Sequence, residues 1–454
     1  MARQPGTLDP AYGRQGIADI PTDPPVNPDA RSLQVMASAG QGASLAFCGT
    51  HPADAERVML VRLLEDGQPD PQGPVVIEPH DAHPESSLAF VALQAIPAGA
   101  QTHYLAIGTP AYYDFEAYQL LNYVSIGRYD EHFEPIHTFG KQGVALPDPG
   151  DNWAPVLRLS PSAPPLPQQH PARAYPRGRT ALIPPFHPAT AVTLTAGLIR
   201  VVFSQKVYDD ETSVETYSSH VTLVHPDSGE PVAGLGEHLE HSVLRLDAKD
   251  GTALQVLGAR FLEDGGFIVL AHRSDNRVIV KRYRANGLAD ENFAGGEEEL
   301  NLFGFVNGLQ PGLEVRGERI LVSRAIYSQR SQGTTVFCHT LSGLRDQTFN
   351  GGQALTVQRG PRVGLSLNQV KADEQGRVVL AGSYMSEGLD QLCVVRLTAS
   401  GALDESFGDA GFFDSGRDLF TASGLYPHTD GIRVLSQFPT FTRSFLERVA
   451  KLVN

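Results

Sequence analysis

The sequence predicts an all-β chain folded as a seven-bladed β-propeller, and three observations carry that expectation. The first is one phrase written repeatedly, clearest at Gly401 (GALDESFGDAG), with near-copies at Gly6 (GTLDPAYGRQG), Gly287 (GLADENFAGG) and Gly343 (GLRDQTFNGG). Weaker copies begin at Gly67 (GQPDPQG) and Gly229 (GEPVAGLG), and a degenerate one ends in Phe139-Gly140-Lys141-Gln142-Gly143. The aromatic of the phrase, or its equivalent, falls at Tyr12, Gly73, Phe139, Leu235, Phe293, Phe349 and Phe407, at intervals of 61, 66, 96, 58, 56 and 58 residues. Self-similarity at a fixed period is the mark of a repeat architecture.

The second observation is a strand grammar shared by the units. A run here called strand B recurs at 44–49, 103–108, 198–204, 267–271, 319–323, 375–382 and 432–436. A second run, strand C, recurs at 57–63, 120–126, 220–224, 277–283, 335–341, 392–397 and 448–453. Both are short, rich in β-branched residues and bounded by turn residues, which reads as strand. A strand A precedes B in most units (SLQVMAS, AVTLTAG), and a short strand D follows the Phe-Gly turn. Four strands per unit and seven units describe a propeller with one blade per repeat.

The third observation concerns the two ends. The last unit stops after its strand C, at Asn454, without turn or strand D, while the chain opens on that missing turn followed by GIADI at 16–20. The N- and C-terminal segments are therefore expected to complete one blade between them, closing the ring and removing open sheet edges. The long interval holds a Pro-rich insertion at 146–186 within a single domain spanning 1–454; twelve of the 33 prolines fall between Pro147 and Pro188. Such a segment lacks backbone donors and is expected to be extended rather than helical or part of a sheet.

Composition bounds the function. A net charge of −15 argues against a phosphate-backbone partner, which needs a basic footprint, and leaves room for a basic one. No apolar run reaches the length of a membrane span. The first residues (MARQPGTLDPAYG) lack an apolar secretory core, so the expected location is the cytoplasm. The three cysteines, Cys48, Cys338 and Cys393, form no CxxC, and Cys338 and Cys393 sit in strand-like runs as small hydrophobes; neither a disulfide framework nor a zinc site is expected.

The phrase G-x-L-D-x-x-F-G-x-x-G, preceded by an Arg-bearing strand such as VVRL, resembles the delta-60 repeat of bacterial proteins. The resemblance is specific at Gly6, Gly287, Gly343 and Gly401; before Phe139, Pro135 and Ile136 stand where Leu-Asp is usual. It implies a propeller-like repeat fold and no particular activity.

Motifs that could carry chemistry have simpler structural readings. The repeated Asp9, Asp70, Asp290, Asp346 and Asp404 could be imagined as calcium ligands, but one carboxylate per unit does not converge on an ion, and an Asp accepting turn N–H groups explains the position. Glu237-His238-Leu239-Glu240-His241 and His80-Asp81-Ala82-His83 lack a defined helix and third ligand. Neither a nucleophile elbow nor a P-loop is present. Catalytic residues, metal and cofactor are accordingly not expected.

The stronger functional clue is geometric. In a four-stranded blade the C–D turns open on one face, and here they are uniform. The B–C loops open on the other and vary, carrying Tyr112, Tyr113, Phe115 and Tyr118 in one unit, and Tyr208, Tyr327, Arg330 and Tyr384 in others. Variable loops with aromatic and Arg anchors on a rigid scaffold are where binding resides. The expected function is a non-catalytic, monomeric interaction platform for a protein or peptide partner, met by these eight residues. The alternatives are a hydrolase- or lyase-type enzyme using the central channel and a carbohydrate-binding propeller.

Overall fold

The computed structural model describes residues 4–20, 34–37, 45–51, 54–77, 90–98, 101–108, 111–114, 119–122, 124–141, 143–145, 191–209, 214–273, 277–300, 311–327, 332–360, 364–386, 389–416, 419, 421–439 and 445–454. The Pro-rich segment 146–186 lies outside them. The fold is an all-β propeller, and its described strands fall into seven antiparallel sheets. Helical pieces among the described residues are two three-residue 3-10 turns, Ala294–Gly296 and Asn350–Gly352. Among the described residues no helix is long and apolar enough to cross a membrane.

Written A to D, the first sheet is Gln34–Ala37, Leu45–His51, Asp54–Leu63 and Val75–Ile77. The second is Phe90–Ala98, Gln101–Gly108, Ser125–Tyr129 and Val144–Ala145. The third is Ala191–Thr195, Leu198–Asp209, Val214–Val224 and Val243–Arg245, and the fourth Gln255–Phe261, Phe267–His272, Val278–Tyr283 and Glu298–Leu300. The fifth is Gly312–Arg316, Arg319–Tyr327, Gln332–Thr340 and Leu355–Val357. The sixth is Gly364–Ala372, Val378–Ser386, Leu389–Leu397 and Phe412–Asp414. The seventh takes Ala422–His428, Gly431–Pro439 and Phe445–Leu452 from the end of the chain and Ile17–Asp19 from its start. Ile17 stands opposite Ala450 and Asp19 opposite Arg448.

Each A strand packs against the A strand of the next sheet, and Ala422–His428 of the seventh packs against Gln34–Ala37 of the first. Apolar side chains that alternate along each strand fill the seams between neighbouring sheets. Leu321, Phe349, Leu367 and Leu380 share one such core between the fifth and sixth sheets; Tyr12, Ala18, Leu63 and Leu435 share another between the seventh and the first.

The repeated phrase builds these seams. In its clearest copy the Asp404 N–H donates to the Arg396 carbonyl at 3.0 Å, which ends the ladder and starts the turn. The Asp404 carboxylate then accepts the Ser406 N–H at 3.1 Å and the Arg396 Nε at 2.8 Å. Asp9, Asp70, Asp290 and Asp346 likewise accept the N–H two residues on. Each also meets a cation from the strands: Lys451, Arg62, Arg282 and Arg319 respectively. The repeated Asp is thus a turn cap, as expected, and also an ion-pair anchor.

Three residues further on, the aromatic enters the seam. Phe407, Phe349, Phe293, Phe139 and Tyr12 are all at most 1 % exposed, so each is a full plug rather than a lid. The plug needs a glycine on the sheet it meets: Gly401 has φ +91°, and a Cβ there would sit 3.2 Å from the Phe349 ring. The residue after the plug donates its N–H to the next sheet's turn, as from Asn350 to Ser400 at 2.9 Å and from Gly408 to Pro5 at 2.9 Å. One seam departs from the rule. Between the first and second sheets the plug position is Gly73 and the donor position is Pro74, which has no N–H. There Phe133 of the second sheet, at φ +63°, fills the seam in reverse, packing with Ala46, Leu60 and Tyr104.

Candidate functional site

The third sheet carries the largest elaboration on the B–C face. Its B and C strands, Leu198–Asp209 and Val214–Val224, are roughly twice as long as the fourth sheet's Phe267–His272 and Val278–Tyr283. The extension gains a hairpin from the second sheet's B–C connection, Ala111–Asp114 paired with Gln119–Asn122. Gln119–Asn122 in turn pairs with the end of Leu198–Asp209, Leu121 opposite Val207 and Gln119 opposite Asp209. The expected strand C at 120–126 is therefore corrected. The second sheet's own C strand is Ser125–Tyr129, and residues 120–122 belong to a hairpin on the neighbouring sheet. Backbone donors and acceptors of a long connection must be paired somewhere, and the overhanging edge of Leu198–Asp209 is the nearest ladder.

This pairing makes a small four-stranded sheet above the seam between the second and third sheets. Its register places Tyr113, Leu120, Tyr208 and Glu215 in one row across the four strands. Residues directly opposite share a face, and successive residues alternate. Tyr113 and Tyr208 thus stand in one register row although 95 positions apart in the chain. Phe115, Tyr118 and Arg330 lie outside the described residues, and Tyr327 ends the strand Arg319–Tyr327, opposite Gln332.

Tyr384 is placed in full. It is half-buried, packs against the core between the fifth and sixth sheets, and its hydroxyl donates to Gln391 Oε1 across the strand pair at 2.7 Å. The Arg359 guanidinium lies 5.3 Å from its ring centroid and 5.2 Å from that of Phe412. Arg359 also pairs with Asp414. Burial raises the Tyr384 phenol and the Asp414 carboxyl, the latter against the pull of Arg359. Tyr384 is bound into its own sheet rather than offered as a free anchor.

At the opposite end of the A strands lies a charged feature that motif reading did not assemble. Counting through the B strand from the strand C residue whose carbonyl accepts the turn N–H gives equivalent A positions: Met36, Gln94, Thr193, Arg260, Glu314, Lys371 and Tyr426. Three adjacent ones are charged and meet. Lys371 Nζ donates to Glu314 Oε2 at 2.8 Å, and Arg260 Nε approaches the same oxygen at 3.4 Å. In the sequence Arg316, Lys371 and His428 stand out as scattered polar positions in otherwise apolar strand A runs. Arg260 and Glu314 were missed, although their distance from the repeated phrase was the available signal.

Among the described residues no three His, Cys, Asp or Glu side chains converge as a metal site. In the 237–241 turn His241 meets Glu240 at 3.0 Å in an exposed pair, and 80–83 lies outside the described residues.

The family described as a domain of unknown function (DUF5122) beta-propeller matches residues 376–407, one B–C–turn unit. No curated protein sequence matches the chain. Among solved structures the chain is similar to the WD40 domain of Toxoplasma gondii coronin, at 8% identity and TM-score 0.45, covering 100% of this chain and 89% of that one. It is also similar to the phage phi92 endosialidase, at 9% identity and TM-score 0.43, covering 98% and 70%.

Proposed function

We propose that the chain is a single seven-bladed ring, closed by Ile17–Asp19 on Phe445–Leu452, that serves as a non-catalytic platform for a protein or peptide partner. The partner meets the B–C face. The observation that carries this reading is the four-stranded sheet assembled there from two sheets of the propeller, with Tyr113 and Tyr208 in one register row. A strand ladder holds its residues in fixed register, which lowers the ordering cost that a free loop pays on binding. Asp114, Asp209 and Glu215 stand in the same small sheet, so the partner that fits is a basic segment with an aromatic or aliphatic anchor.

The test is affinity capture from the native host, comparing the wild-type chain with a quadruple alanine variant at Tyr112, Tyr113, Phe115 and Tyr118, and with Tyr208→Ala. Circular dichroism and thermal melting establish that each variant is folded. The expected result is a partner captured by the wild-type chain and lost from both variants. A folded quadruple variant that retains every wild-type partner overturns the assignment.

A further inference from the structure

The charged arc on the A strands has an excess of cations. Arg260, Arg316 and Lys371 come from the fourth, fifth and sixth sheets, and the carboxylate among them is Glu314. Two acids of these A–B turns are already committed to arginines of their own sheets: Asp264 to Arg282 at 2.9 Å and Asp373 to Arg377 at 2.6 Å. Asp430 in the next A–B turn is held by Arg433 at 2.9 Å and Lys451 at 2.8 Å. Glu314 therefore pairs with both Arg260 and Lys371, and among the described residues the exposed turn acids Glu263, Glu318 and Glu374 make no ion pair with the three cations.

The donors are only partly used. Of the three Lys371 ammonium protons, one goes to Glu314. Arg260 turns Nη1 onto the Ala259 carbonyl at 2.7 Å, and Arg316 turns Nη1 onto the Ala372 carbonyl at 2.8 Å, tying the fifth sheet to the sixth. Their hydrogen-bond partners among the described residues are thus one shared carboxylate and two neutral carbonyls. The side chains remain reachable, Lys371 being 27% exposed and Arg260 37%, at the inner edge of the ring of A strands. Burial depresses the Lys371 ammonium and Arg260 and Arg316 depress it further, while Glu314 opposes them. Three cations thus stand around a single A-strand carboxylate, which pairs with two of them.

We propose that this arc is an oxyanion site: Arg260, Lys371 and Arg316 receive a phosphate or carboxylate group of a small ligand entering from the A–B end of the central channel. Guanidinium groups suit the flat fork of two oxygens, and the ammonium adds a point charge. Glu314 has a defined part. It holds Lys371 and Arg260 at one point and competes with the ligand for them, so it sets affinity by opposing it. The site needs no contribution from the B–C face and stands or falls independently of the function proposed above.

The sign of the Glu314 effect makes the test discriminating. Inorganic phosphate and malonate are each titrated by isothermal calorimetry into the full chain at low ionic strength, where unscreened charge effects are largest. Both anions should bind if any oxyanion serves; binding of one alone names the group. Lys371→Gln and Arg260→Gln should each weaken binding by about tenfold, the order expected of one charge at contact near a partly solvated wall. Glu314→Gln should tighten it by a similar factor. A merely structural role for the arc predicts that all three variants weaken binding together. Should Arg260→Gln fail to fold, Lys371→Gln and the charge-preserving Lys371→Arg, which should retain binding, carry the test. Failure of both anions to bind the wild-type chain, binding indifferent to Lys371→Gln, or weaker binding by a folded Glu314→Gln overturns the proposal.

Discussion

Phe407→Ala probes the seam next to the closing sheet directly. Phe407 is fully buried between the sixth and seventh sheets, among Val394, Leu425, Ile432 and Leu452. The Arg396 guanidinium lies 4.5 Å from its ring centroid, itself only 1% exposed and held by Asp404. A Cβ on Gly6 would reach to 3.0 Å of the ring, so the N-terminal turn is moulded against it. Removing a fully enclosed Phe costs about 3–5 kcal/mol through lost transfer energy and the cavity left behind. Loss of the ring beneath Arg396 adds about 1 kcal/mol. The control is Leu403→Ala in the same turn: Leu403 is 40% exposed, and its truncation should change stability by about 0.5 kcal/mol or less. Both are read from equilibrium denaturation in urea, followed by circular dichroism and by tyrosine fluorescence to expose any separate unfolding of one seam. A Phe407→Ala midpoint indistinguishable from that of Leu403→Ala refutes the plug as the element that holds neighbouring sheets.

Two other outcomes follow from the same geometry. Deleting the first 20 residues removes the Ile17–Asp19 ladder, the buried Tyr12 and the Asp9–Lys451 ion pair, so the truncated chain should melt well below the intact one; equal melting temperatures contradict closure by the two termini. His220 is 1% exposed, stacks on Phe203 at 5.4 Å, and is pushed down to about 4 by burial and then by Arg245. The unfolded chain binds a proton near pH 6.5 that the folded chain refuses until about pH 4. Stability therefore falls on acidification across that window, by about 3 kcal/mol for this group. His220→Phe, which keeps the stacking, should reduce the slope of stability against pH there by up to one proton. An unchanged slope contradicts a neutral, buried His220. His272, also pushed down to about 4 by burial and then by Arg324, titrates in the same window and keeps the residual slope above zero.

The repeat itself determined most of the architecture. The turn phrase is legible because it is local chemistry. An Asp caps the turn two residues on, a glycine takes positive φ, and an aromatic falls at a constant offset, so each copy declares its place in the chain. Even the degenerate copies keep that offset: the Ile136 and Val232 N–H groups donate to Arg128 and Leu223 as the Asp N–H groups do elsewhere, at 2.9 Å in both. The expected pairing of residues near 16–20 with the last strand C was legible for the same reason, since a unit short of one strand and a strand short of its unit fit each other.

What the tertiary structure alone decided arises wherever two repeats meet away from the phrase. Residues 120–122 read as strand in any window, but only proximity to the overhanging Leu198–Asp209 decides which sheet they join, and no local signal encodes that proximity. Tyr113 and Tyr208 come into one register row, on either side of Leu120, through that choice, while Tyr384, alike in sequence, is bound into its own sheet by Gln391 and Arg359. The reversal at Gly73–Pro74 and the arc of Arg260, Glu314 and Lys371 have the same origin. Residues contributed singly by successive repeats carry no pattern along the chain, and they gain one when the A strands are set side by side about a common centre.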